Sequence, residues 1–158
     1  MATLRNAISA VKSPILCDRI AGRLNEDWGK VVVFFHHSAA GSLLHAGLRV
    51  FGAVKIDGKV PQKQREVIRQ QFWEDPDCRV IIAQDNIARQ AIDLSVANNL
   101  VFAELAWTPE DNYQAEMRIQ GPLQTRQPHI HTTTLAGTLD EAVNAVCNRR
   151  SKMFSEIL

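Results

Sequence analysis

Lys30-Val31-Val32-Val33-Phe34-Phe35-His36-His37 is the stretch on which the fold turns. From Val31 to Phe35 every side chain is β-branched or aromatic, and no polar residue interrupts them. A strand with one wet face would alternate, so an unbroken run points to a strand buried on both faces of a parallel sheet. Residues 80–83 and 100–105 read the same way. Residues 53–56 and 129–135 are shorter or more alternating, which places them nearer the sheet's edges.

Helical spacing fills the intervals. Leu16, Ile20 and Leu24 repeat every four residues, and Ser13-Pro14 before them predicts an N-cap and a first-turn proline. Ala40, Leu44 and Leu48 form a second such series, ended by Gly52. Residues 61–73 set Ile68 and Phe72 beneath a charged face of Lys63, Arg65, Glu66 and Arg69. Thr108-Pro109-Glu110-Asp111 predicts a capped helix start, and Thr138-Leu139-Asp140-Glu141 a capping box. Strands alternating with helices imply βαβ crossovers. The expectation is an α/β fold of three layers over residues 1–158, one domain, with a mainly parallel sheet and helices on both faces.

Composition narrows the function classes. The 158 residues are 46% apolar and 22% charged with net charge +1, as in an ordinary globular domain. A stand-alone nucleic-acid binder carries a clearly basic balance, so any contact with nucleic acid must come from a local patch. Three widely separated cysteines (Cys17, Cys78, Cys147) suit a reducing compartment and suggest neither a zinc site nor a disulfide framework. No apolar run approaches a membrane span. The expected location is cytoplasmic or nucleoid-associated.

A phosphate-cradling loop of the form G-x-x-x-x-G-K-[ST] is missing: Gly29-Lys30 and Gly58-Lys59 are each followed by valine. His129 and His131 share a strand face, but without a convincing third ligand they read as polar packing and no metal site is assigned. Asp57-Gly58 reads as a tight turn and Trp107 as a packing anchor under the Thr108 helix start. The basic cluster Arg149-Arg150-Ser151-Lys152 reads as a solvated helix face.

Several segments together resemble a known family. Residues 30–37, Ile56-Asp57-Gly58, residues 61–72 and residues 74–80 look like the C-terminal helicase lobe of Swi/Snf-type ATPases. Residues 101–109 (VFAELAWTP) are similar to the branch of HARP-type annealing helicases. Gln114-Ala115-Glu116-Met117-Arg118 falls where that family carries Gln-Ala-Glu-Asp-Arg, and Gln124-Thr125-Arg126 follows in register. The resemblance implies a RecA-like (P-loop NTPase-like) second motor lobe of an ATP-dependent double-stranded-DNA translocase. ATP and magnesium would be held chiefly by a first RecA-like lobe, present in cis or in trans. The isolated chain is not expected to hydrolyse ATP. Its expected partners are that lobe and double-stranded DNA, bound weakly and without sequence preference.

The site residues implied are Arg118 as the catalytic arginine, Gln114, Arg118 and Gly121 at the nucleotide, and Arg89, Asp93 and Ser95 at nucleic acid. For Arg118 the alternative is a helix-surface salt bridge, and for Arg89 a solvated side chain. Two departures separate this sequence from the family pattern. Gly121 stands where the motif has its second arginine, a role left to Arg118 alone or shared with Arg126. Arg89 and Ala91 stand where a preceding motif has glycines. The alternative function is therefore a catalytically inactive lobe acting as a binding or regulatory module; an unrelated enzyme on the same fold is a third.

Overall fold

The computed structural model describes residues 2–155 apart from Arg89 and Ala91, with the side chains of residues 2, 88 and 149–155 left out. Five strands are described: β1 (Val31–Phe35), β2 (Val54–Ile56), β3 (Val80–Gln84), β4 (Asn99–Phe102) and β5 (His129–Thr132). They form one sheet in the order β2-β3-β1-β4-β5, and every pairing is parallel. The unbroken run lies at the centre, flanked by β3 and β4, and the two alternating segments are the edges, as their patterns predict.

Side-chain alternation divides β1 between two cores. Val31, Val33 and Phe35 face Leu16, Ile20 and Leu24 of α1 (Ala2–Asn25) and Leu44 of α2 (Ser38–Gly47). Val32 and Phe34 face the opposite way, toward Phe72 of α3 (Gln62–Glu74) and Ala115 of α5 (Pro109–Glu116). All five β1 side chains are buried, each contributing about 1.5–3 kcal/mol relative to exposure. The short α4 (Asp85–Ala88) follows β3, and α6 (Leu139–Ser155) follows β5. The fold is thus a three-layer α/β arrangement. No helix of the described residues is long and apolar enough to cross a membrane.

Gly52 ends the turn after α2 with φ of +63°, and a Cβ there would stand 2.2 Å from the Asp77 carbonyl oxygen. Only glycine meets both demands. Lys30 closes the end of α3: its ammonium donates to the carbonyls of Phe72, Asp75 and Cys78.

Three local expectations are corrected. Ser13-Pro14 does not start a helix; α1 begins near Ala2 and Pro14 lies inside it. The Ser13 hydroxyl donates to the Ser9 carbonyl instead of capping, and tertiary contacts hold the turn in spite of the missing N–H. Trp107 is exposed rather than buried under a helix start, with the Arg5 guanidinium 5.4 Å above its ring. The Thr138 box is half-formed. Thr138 Oγ1 accepts from the Asp140 N–H, while Glu141 accepts from Gly137, one residue earlier than the box requires.

Candidate functional site

Two loops on the α3/α5 side of the sheet meet edge to edge. One runs from α4 into β4 and holds Asp93 and Ser95; the other follows α5 and holds Arg118, Gly121 and Gln124. The Leu94 N–H donates to the Arg118 carbonyl at 2.9 Å. Asp93 closes a turn by accepting from the Ser95 N–H, and its own carbonyl takes the Trp73 indole N–H at 3.0 Å. A Cβ on Gly121 would stand 3.1 Å from Asp93 Oδ1. Ser95 is buried, and its hydroxyl has no hydrogen-bond partner among the described residues.

Gln124 joins the two loops. Its side-chain amide donates to the carbonyls of Ser95 (3.1 Å), Ala97 (2.7 Å) and Ile119 (2.9 Å), and its oxygen accepts from the Arg126 N–H. Sequence reasoning gave Gln124 no role. A half-buried amide reveals its partners only when the chain is folded, because none of the four is implied by spacing.

Arg118 follows the last turn of α5. Its Nε donates to the Gln114 carbonyl at 3.2 Å, and no carboxylate among the described residues pairs with it. The surface salt bridge is therefore not the arrangement found. Arg118 is partly exposed, and its side chain helps line a small apolar recess with Ile87, Ile92 and Leu94. Gln114 is exposed about one turn earlier, on α5. Arg126 turns elsewhere: its guanidinium donates to the Val96 carbonyl at 2.7 Å. Arg89 lies outside the described residues. Asp93, Ser95, Arg118 and Gly121 are thus brought into one neighbourhood, with Gln114 at its rim.

A second polar cluster lines the carboxyl ends of β1, β3 and β4. Glu104 Oε2 accepts the backbone N–H groups of His36 and His37, each at 2.8 Å. Its other oxygen meets His37 Nδ1 at 2.6 Å and the Ser9 hydroxyl of α1. Burial works against the charged form of Glu104. The donors from Ser9 and His37 and the two backbone groups outweigh it and hold its carboxyl below the ordinary range. His36 Nδ1 lies 2.6 Å from Asp85 Oδ2, and that hydrogen bond raises the imidazole's pKa. The strand order reverses direction between β1 and β4, the point where open α/β sheets place ligands. Here the chain's own carboxylate takes the N–H groups of the two residues that lead into α2.

Asp57-Gly58 forms the expected tight turn, with Asp57 Oδ1 accepting from the Lys59 N–H and its carbonyl from the Val60 N–H.

Comparison with known proteins accords with this geometry. Residues 11–120 match the model of the helicase conserved C-terminal domain. The chain is 33% identical over 152 residues to the mouse DNA annealing helicase and endonuclease ZRANB3, covering 93% of this chain and 14% of the relative. It is 30% identical over 156 residues to the Arabidopsis thaliana DNA repair protein RAD5A, covering 98% of this chain and 15% of that protein. The chain thus spans a small part of the length of these relatives. Among solved structures, the C-terminal part of the Fun30 ATPase domain superimposes with a TM-score of 0.78 at 21% identity, covering 84% of this chain and 43% of that one.

Proposed function

Because the chain belongs to the helicase conserved C-terminal domain family, as a lobe of the Swi/Snf type, we propose that it acts as the second motor lobe of an ATP-dependent double-stranded-DNA translocase. In this reading a first RecA-like lobe holds the ATP and magnesium. In the same reading this chain's share of the chemistry is the positive charge of its arginine. The observation that carries the reading is Arg118: a partly exposed arginine with no acidic partner among the described residues, its carbonyl bonded to the loop of Asp93 and Ser95. A fixed cation beside the transferring phosphoryl group stabilises the charge that develops there and is worth about 10³–10⁵ in rate. The bond to the Leu94 N–H gives a mechanical route by which movement of the arginine reaches the 93–95 loop, the segment assigned to DNA.

One observation favours the alternative of a non-hydrolysing lobe. Gly121 stands where the family motif has its second arginine, and Asp93 and Ser95 close over it. DNA-stimulated phosphate release by this chain paired with an authentic first lobe separates the two. The motor reading expects turnover that Arg118→Ala abolishes with the fold intact. A pair that is inactive from the start, or an Arg118→Ala pair with full activity, overturns it.

A further inference from the structure

The face of the sheet opposite Arg118 holds a groove that none of the foregoing uses. It has a volume of about 910 Å³, within the range of small-molecule sites, and runs between the C-terminal half of α1 and the edge strand β5. Its floor is polar: His129 and His131 stand on the same strand face as their partners Asn99 and Val101. The Trp28 ring lies against the His131 ring with centroids 4.6 Å apart. Arg19, Arg23 and Arg126 converge on it from the walls.

We propose that this groove binds a phosphate group, carried on a free nucleotide or on a nucleic-acid strand, with Arg23, Arg126 and His129 as donors and Trp28 as the apolar flank. Arginine and imidazole donors around an aromatic surface suit a phosphate with a base attached. Three acids, Asp18, Glu26 and Asp27, also line the groove, so the sign of the field at its floor has to be settled. Glu26 is taken up by Arg23 at 3.3 Å. At His131 the nearest charged groups are cations. Burial lowers its pKa first, and the charged groups that act on it, His129 and Arg23, both lower it further, with no carboxylate opposing them. An anion seated beside His131 would meet Arg23 and His129 there, while Asp18 and Asp27 line the groove further off that point.

The inference is independent of the motor reading, because it concerns the other sheet face. The test follows the His131 imidazole by NMR through a pH titration of the 158-residue chain. Titrations are run with inorganic phosphate, a nucleoside monophosphate, the bare nucleoside, a short single-stranded oligonucleotide, and sodium chloride at matched ionic strength. The expected result is a His131 pKa raised by phosphate-bearing probes and left alone by the nucleoside and by chloride. A response to phosphate and nucleotide marks a free-ligand site, and a response to the oligonucleotide alone marks a backbone-docking site. Arg23→Gln, an exposed substitution that spares the fold, is expected to weaken binding roughly fivefold, as befits one partly exposed charge-assisted contact; His129→Gln should act likewise. A His131 resonance indifferent to every probe, equally responsive to chloride, or bound as tightly in both variants overturns the assignment.

Discussion

Gly121 lies so close to Ser95 that a Cβ built on the glycine would stand 3.1 Å from the serine hydroxyl oxygen and 3.2 Å from its Cβ. Ser95 cannot easily give way, since its N–H is held by Asp93 and its carbonyl by Gln124. Gly121→Ala is therefore expected to destabilise the chain by about 1–3 kcal/mol, the usual cost of overpacking, as read by urea denaturation. Gly121→Arg, which restores the family's residue type, is expected to cost more and to displace the 93–95 loop. A Gly121→Arg chain as stable as the parent would show that this packing is loose.

Gln124→Ala removes four hydrogen bonds at once and leaves three carbonyls to find new partners. At about 0.5–1.5 kcal/mol each, the expected loss is at least about 2 kcal/mol. Amide hydrogen exchange should also report faster opening of Leu94, whose bond to Arg118 spans the same joint. Unchanged protection at Leu94 would mean that the two loops are held together by other contacts.

Lys12 and Asp140 form a buried ion pair at 2.5 Å, both side chains less than a tenth exposed. Removing one partner strands a charge, so Asp140→Ala is expected to cost about 3–5 kcal/mol by chemical denaturation. The double change Lys12→Met with Asp140→Leu should recover much of that loss. A double variant no better than the single one would mean that the pair's worth lies in the Lys12 bond to the Thr133 carbonyl.

The histidines give stability a pH dependence of opposing signs. His36 is raised by its bond to Asp85, so the stability it adds is complete below the ordinary value of 6.5 and fades as pH climbs through the raised one. His131 is lowered by burial, so its contribution is present above 6.5 and is lost as pH falls through the lowered value. In denaturation curves from about pH 5 to about pH 9, the gap between the parent and His36→Gln is expected to be widest at the acid end and to close toward the alkaline end. A gap independent of pH would show that the ion pair adds nothing to the fold. Glu104 acts lower: its stabilisation stands above 4.5 and is lost as pH drops through its depressed value.

The legible part of the fold was the part governed by repetition. Runs such as 31–35 carry their burial in their composition, and both the parallel sheet and its edge strands follow from them. The Arg118 motif was legible by resemblance, and so was its altered Gly121. What escaped notice depends on contacts between remote segments. Arg5, Ser9 and Lys12 carried no signal of burial in the sequence, yet all three are buried because Leu105, Glu104, Thr133 and Asp140 wait for them. Pro14 misled for a related reason: a local rule about helix starts yields when tertiary partners hold the residues before it. Glu104 sits in an apolar run, and a carboxylate there is itself a sign that donors must converge on it.

The same stripe on α1 bears on the order in which the protein is made. Lys12 is joined to a residue 128 positions later, Arg5 to one 100 later and Ser9 to one 95 later. On the ribosome α1 is synthesised long before any of these partners, and its polar half stays incompletely bound until Asp140 has emerged. Its apolar half can settle earlier, on Leu44 and Leu48 of the next segments. The front of the helix is thus secured late, although it is built before every partner that holds it.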